Sequence, residues 1–213
     1  MTASSSSIST LSEGSLPWHK IWAHVLTRPG ADTFRDLTAN RGIRPGRPYL
    51  WVFLAGAFDY LVSAIMHIFS EPLQIYRQDL PGVVNPISGI LRVFAFPLGG
   101  AAVLLGFMLM VLMMNAAARS LGGTGNYARL AFASGALAAP FSVITALLLP
   151  FSLITYAGLC FAWLTISIGL YLIGLQVVAI MGVHQLGWMK ALAALILPVL
   201  VLSPLAVGIV VIL

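Results

Sequence analysis

The sequence predicts an all-α polytopic membrane bundle: five transmembrane helices preceded by an N-terminal amphipathic helix lying at the interface. Three observations predict it. Hydrophobic residues make up 60% and charged residues 8% of the 213 residues, and the mean hydropathy is +0.98, whereas roughly a quarter of a soluble domain is charged. Five apolar runs fill nearly everything after Pro48, each long enough to cross a hydrocarbon core of about 30 Å at a rise of about 1.5 Å per residue. The period-two alternation of a membrane barrel is absent, and a helix is the other way to pair every peptide group in lipid.

Residues 1–14 are rich in Ser and Thr, with no basic n-region and no apolar core behind them. They read as a disordered tail rather than a cleaved signal peptide. Residues 15–48 form a cytoplasmic amphipathic and basic segment. Trp18, Ile21, Trp22, Val25 and Leu26 follow helical spacing on one face, while His19, Lys20, His24, Thr27 and Arg28 fall opposite, and Pro29-Gly30 ends the run. Trp18 and Trp22 facing one way with Lys20 and Arg28 facing the other suits a helix in the headgroup region of an anionic leaflet. The competing reading packs the same face on the protein's own loops. Residues 32–38 read as a second short helix presenting Phe34 and Leu37, ahead of a basic, Pro-rich linker at 41–48.

The transmembrane domain, 49–213, divides into spans at 49–69, 97–118, 130–149, 153–181 and 191–213. Residues 70–86 form a polar external connection, and 87–96 repeat apolar residues at helical spacing around Arg92, as a surface helix would. Adding that stretch to the second span would make a helix of roughly 48 Å, too long without strong tilt. The fourth run exceeds a perpendicular crossing, and residues 150–152 allow only a tight turn before it. Ala102 with Gly106, Ser134 with Ala138 and Gly135 with Ala139 offer small residues four apart, predicting that the second and third spans pack together. Pro140, Pro198 and Pro204 free carbonyls within spans. Met108, Met110, Met113 and Met114 read as lipid-facing filler.

Lys20, Arg28, Arg35, Arg41, Arg44 and Arg47 precede the first span, Arg119 and Arg129 flank the second loop, and Lys190 lies between the fourth and fifth spans. With five crossings all of these fall on one side, against Arg77 and Arg92 on the other, and the positive-inside rule makes the richer side cytoplasmic. The C-terminus is then outside, and the net charge of +5 is accounted for by one leaflet without nucleic acid. The expected location is a cell membrane, the bacterial inner membrane.

Ionisable groups within the spans are few. Asp59 lies mid-span, where a carboxylate costs several kcal/mol unless it is protonated, paired or wet. His67, eight residues on, falls within about a quarter turn of the same face. A proton or ion path through Asp59 and His67 is one function class; a neutral Asp59 bonded to a neighbouring helix is the plainer alternative. Soluble-enzyme chemistry finds no motif: the single Cys160 lies within a span, the four histidines lack metal-binding spacing, and neither a nucleophile elbow nor a phosphate loop is present. No cofactor is expected. Gly122-Gly123-Thr124-Gly125 lacks the lysine of a phosphate loop and reads as a cytoplasmic turn.

Leu121-Gly-Gly-Thr-Gly-Asn-Tyr-Ala-Arg-Leu, running into Ala-Ser-Gly-Ala-Leu-Ala-Ala-Pro140, resembles the second loop and third span of the Yip family, membrane proteins named for interacting with Ypt/Rab GTPases. Val178-Ala-Ile-Met-Gly-Val-His184-Gln-Leu-Gly-Trp188, before Lys190-Ala-Leu, resembles the junction of its fourth and fifth spans. Trp22, Pro29 and Phe34 fit the N-terminal approach of bacterial members. The resemblance implies five spans and a cytoplasmic N-terminus. The chain departs from the eukaryotic pattern in its short N-terminal region and in the absence of an Asp-Leu-Tyr-Gly-Pro motif, pointing to a prokaryotic member. The resulting expectation is a non-enzymatic membrane protein that organises lipid or partner proteins. Its contact loops carry Gly122, Gly123, Tyr127, Arg129, His184, Trp188 and Lys190; its partners are the anionic cytoplasmic leaflet and a membrane protein or a second copy. A small transporter or channel centred on Asp59, or an accessory subunit of a larger complex, is the alternative.

Overall fold

The structure, a computed structural model, describes residues 17–39, 46–78, 93–153 and 157–212, with side chains left undescribed at 67–78, 152–159 and 202–212. Every regular element among these residues is helical. Two short helices come first, α1 (Trp18–Thr27) and α2 (Ala31–Ala39). Five long ones follow: α3 (Arg47–Gln78), α4 (Phe96–Ser120), α5 (Tyr127–Leu148), α6 (Ala157–His184) and α7 (Trp188–Ile212). Among the described residues, four stretches are long and apolar enough to cross a membrane: Arg47–Met66, Phe96–Ser120, Tyr127–Phe151 and Cys160–His184. The apolar stretch Trp188–Val201 of α7 is shorter.

Helix ends follow local chemistry. Pro97 opens α4 in the first turn, where its missing N–H is no loss. Asn126 caps α5, its Oδ1 accepting from the Arg129 N–H at 2.9 Å. The expected turn at 150–152 is a 3-10 helix, Leu149–Leu153. The Ser-rich tail, most of the basic linker and residues 87–92 of the 87–96 stretch lie outside the described residues.

Helix α5 is the hub of the bundle, with residues 130–137 buried in unbroken succession. A helix enclosed on all sides needs no polar face, which is why its sequence shows no amphipathic period. It packs on α3 through close backbone approach: a Cβ at Gly135 would stand 2.7 Å from Pro48 Cβ, and Trp51 meets the Phe132 ring at 5.6 Å. The second and third spans were expected to pack on each other, but α4 and α5 both pack chiefly on α3. The reason is register. Gly99 rests against the Tyr60 ring, and a Cβ at Gly100 would stand 2.8 Å from both Ala57 Cβ and Phe53 O, so α4 approaches α3 one turn from the pair named from sequence. Gly106 faces open space and Ala102 is exposed.

Polar side chains along the spans mostly bond locally. The hydroxyls of Thr145, Thr165 and Ser167 donate to carbonyls one turn back. Gln176 reaches across: its Nε2 on α6 donates to Ser134 Oγ on α5 at 2.5 Å and approaches Met114 Sδ on α4 at 3.8 Å. Met110 and Met114 therefore face inward at this point rather than acting as lipid-facing filler.

Candidate functional site

The N-terminal ends of α3, α5 and α7 and the C-terminal ends of α4 and α6 converge at one end of the bundle, where α1 and α2 also pack. Among the described residues this end holds Lys20, Arg28, Arg35, Arg47, Arg119, Arg129 and Lys190, and the opposite end holds Arg77. In a chain only 8% charged, that segregation marks the end where chemistry with charged partners is possible.

A glycine-rich loop builds the centre of this end. After α4, Gly122 takes φ +95°, which only a residue without Cβ adopts freely, and the Gly123 N–H donates to Ala118 O at 2.9 Å. The loop then lies flat on the end of α6. The Thr124 N–H donates to His184 O at 3.1 Å. A Cβ at Gly123 would stand 2.8 Å from His184 Nδ1, and one at Gly125 would stand 2.6 Å from Val183 O. Of the loop residues named from sequence, Gly123 thus meets the end of α6, Gly122 does not, and His184 is fully buried beneath the loop. Its ring nitrogens have no hydrogen-bond partner among the described residues. His184 supports the loop and presents nothing to a docked partner.

Beyond His184 the chain turns through Gln185, at φ +55°, into α7. Gly122, Gln185, Leu186, Trp188, Met189 and Lys190 line an open groove of about 380 Å³. Trp188 is 60% and Met189 68% exposed beside Lys190. Arg129 is exposed nearby in sequence on the first turn of α5, and Tyr127 is half-buried.

Helices α1 and α2 strap this end. Ile21 and Val25 of α1 are buried, with the helix resting on α5. Trp22 meets Trp18 edge-on at 4.7 Å and Trp51 at 6.2 Å. The apolar face that suited a lipid surface is thus largely turned inward, leaving Trp18, at 53% exposure, at its edge and Lys20 and Arg28 in solvent. Helix α2 lies on α6: Phe34 is fully buried, and Gly182 approaches Ala31 O directly, with Phe34 Cβ 3.0 Å from where its own Cβ would stand. The Arg35–Asp32 pair at 3.5 Å is open to solvent and adds little.

Within the bundle, Asp59 is half-buried on the stripe of α3 that continues from Pro48, Val52 and Ala55, and no described residue bonds to it. The side chain of His67 lies outside the described residues. The loop-end groove does not include Asp59, nor does a second cleft, lined by Ser134 and Gln176 among others. Among the described residues no group of three or more His, Cys, Asp or Glu could hold a metal ion. Gln176 is not singled out from the sequence. The signal that could have raised it is a buried hydroxyl, Ser134, at similar depth on the preceding span.

Two findings from comparison complete the description. The Yip1 domain family model matches residues 23–210. No curated protein and no solved structure matches the chain.

Proposed function

Since the chain belongs to the Yip1 domain family, we propose that it is a non-enzymatic, five-span membrane protein. Its basic end faces the cytoplasm and gathers anionic lipid into a docking platform for a partner protein. One observation carries the reading: seven cations, Trp18, Trp188 and Met189 converge on the single end that α1, α2 and both loops build. Exposed indole rings beside Lys and Arg match the headgroup layer, where an amphipathic ring has both apolar and wet neighbours. Juxtamembrane cations near an anionic surface are worth about 1 kcal/mol each, so a handful suffices to enrich acidic lipid.

Quenching by brominated lipid tests the proposal in nanodiscs. Brominated phosphatidylglycerol quenches Trp18 and Trp188 more strongly than brominated phosphatidylcholine, and charge reversal at Arg119, Arg129 and Lys190 together abolishes the difference. Equal quenching by the two lipids in the unaltered protein overturns the reading. Single cysteines at Ser120 and Phe151, in a Cys160→Ala background, report the topology: labelling of both from the same side of sealed vesicles excludes a crossing by α5, and labelling of Ser120 from the non-cytoplasmic face excludes the cytoplasmic assignment.

A further inference from the structure

Between α4, α5, α6 and α7 a cleft of about 220 Å³ opens sideways from the bundle, with Phe107, Met110, Leu172, Ile173 and Leu195 on its walls. Ile173, which lines it, is 51% exposed, so the cleft opens on the outer surface of the helices, where apolar spans of this length would meet lipid. Its floor is not hydrocarbon. Ser134, only 2% exposed, accepts from Gln176 Nε2, which also faces Met114 Sδ. The Ser134 hydroxyl hydrogen and Gln176 Oε1 have no bonding partner among the described residues. A donor and an acceptor left open at the base of an apolar cleft each carry a desolvation cost that an occupant can relieve.

The positions of these groups limit the occupant. Ser134, Met114 and Gln176 lie six to eight residues from the basic ends of their helices, about 9–12 Å along the axis. A charge at that depth costs several kcal/mol, which excludes a phosphate or an ammonium head. The volume of about 220 Å³ is too small for a turn of helix, whose diameter with side chains is about 10–12 Å. One apolar chain fits, and its polar end must accept from Ser134 while donating to Gln176. A hydroxyl does both; an ether accepts only and an alkane does neither.

We propose that this cleft binds a single-chain lipid ending in a small uncharged hydroxyl, its chain along Phe107, Met110 and Ile173 and its head between Ser134 and Gln176. The inference is independent of the docking platform, since it uses no residue of the basic end.

The test labels the full-length protein in nanodiscs with a long-chain alcohol carrying a diazirine near its hydroxyl. The expected adducts fall on the cleft-lining segments of α4 and α6, and the unmodified alcohol competes them away while the alkane and the methyl ether of equal length do not. Gln176→Leu weakens labelling about tenfold, the ratio that corresponds to one hydrogen bond. Ala138→Phe, which fills the cleft and leaves the polar pair in place, removes it. Competition by the alkane as strong as by the alcohol overturns the proposal, as do adducts spread over every lipid-facing helix. If either variant fails to run as the intact protein on gel filtration, the competition series on the unaltered chain decides alone.

Discussion

Gly182→Ala isolates what holds α2 to the bundle. The added methyl group points into Ala31 O and Phe34 Cβ, and the obstacle at Ala31 is backbone, so no side chain can swing aside. The two helices must separate or α6 must bend. Overpacking of this kind costs about 1–3 kcal/mol. The alternative is release of α2, which forfeits the burial of Phe34, roughly 1.5–3 kcal/mol. Either route puts the change near 2 kcal/mol, a rise of roughly thirtyfold in the time the strap spends open. Amide hydrogen exchange reads this directly: the α2 amides lose between one and two orders of magnitude of protection, while residues 130–137 of α5 keep theirs. Gly174→Ala, on the same helix with nothing within 4 Å, is the control and leaves α2 protection unchanged. If Gly182→Ala also leaves it unchanged, the contact between α2 and α6 does not limit opening and the strap is held elsewhere.

Four further outcomes follow from the geometry. Phe34→Ala removes a fully buried ring and costs about 3 kcal/mol of strap stability, readable as faster proteolysis ahead of α3. Asn126→Ala removes the cap on α5 and lowers thermal stability in detergent by about 1 kcal/mol, whereas Asn126→Asp restores it. Gly122→Ala meets no neighbour and costs only the left-handed backbone, about 1 kcal/mol by calorimetry, while Gly125→Ala costs more because it drives into Val183. Asp59→Asn leaves the thermal transition unchanged or raises it, since no described residue depends on the carboxylate; a fall of more than about 2 kcal/mol would reveal a partner.

Hydropathy made the long helices legible because lipid imposes one requirement on every residue of a span: bury the peptide group and show carbon. It said much less about which helix touches which. Ala102 and Gly106 have the spacing of a contact motif and face open space, while Gly99 and Gly100, adjacent and without that spacing, make the close approach. A small residue permits contact, but which permitted contact forms depends on what the other helix presents, here the Tyr60 ring, the Ala57 methyl and the Phe53 carbonyl. The face of α1 was readable as a stripe, yet the stripe itself does not distinguish lipid from protein as its cover; Ile21 and Val25 went to protein. At the loops, glycine content marked a turn. That the turn is flattened on His184 needed the end of α6, sixty residues later, to be in place. Ser134 and Gln176 are each unremarkable as sequence, and their bond across forty-two positions became visible only with both helices assembled.

The pairing of Phe34 with Gly182 also sets a timetable. Phe34 leaves the ribosome about 150 residues before the residue it packs against, a wait of roughly 7–30 s at 5–20 residues per second. Throughout that interval a greasy ring and its neighbouring indoles stand uncovered beside a half-inserted chain. The N-terminal segment must be sheltered by the lipid surface or by an escort until the sixth helix arrives, and only then is it withdrawn onto the finished protein.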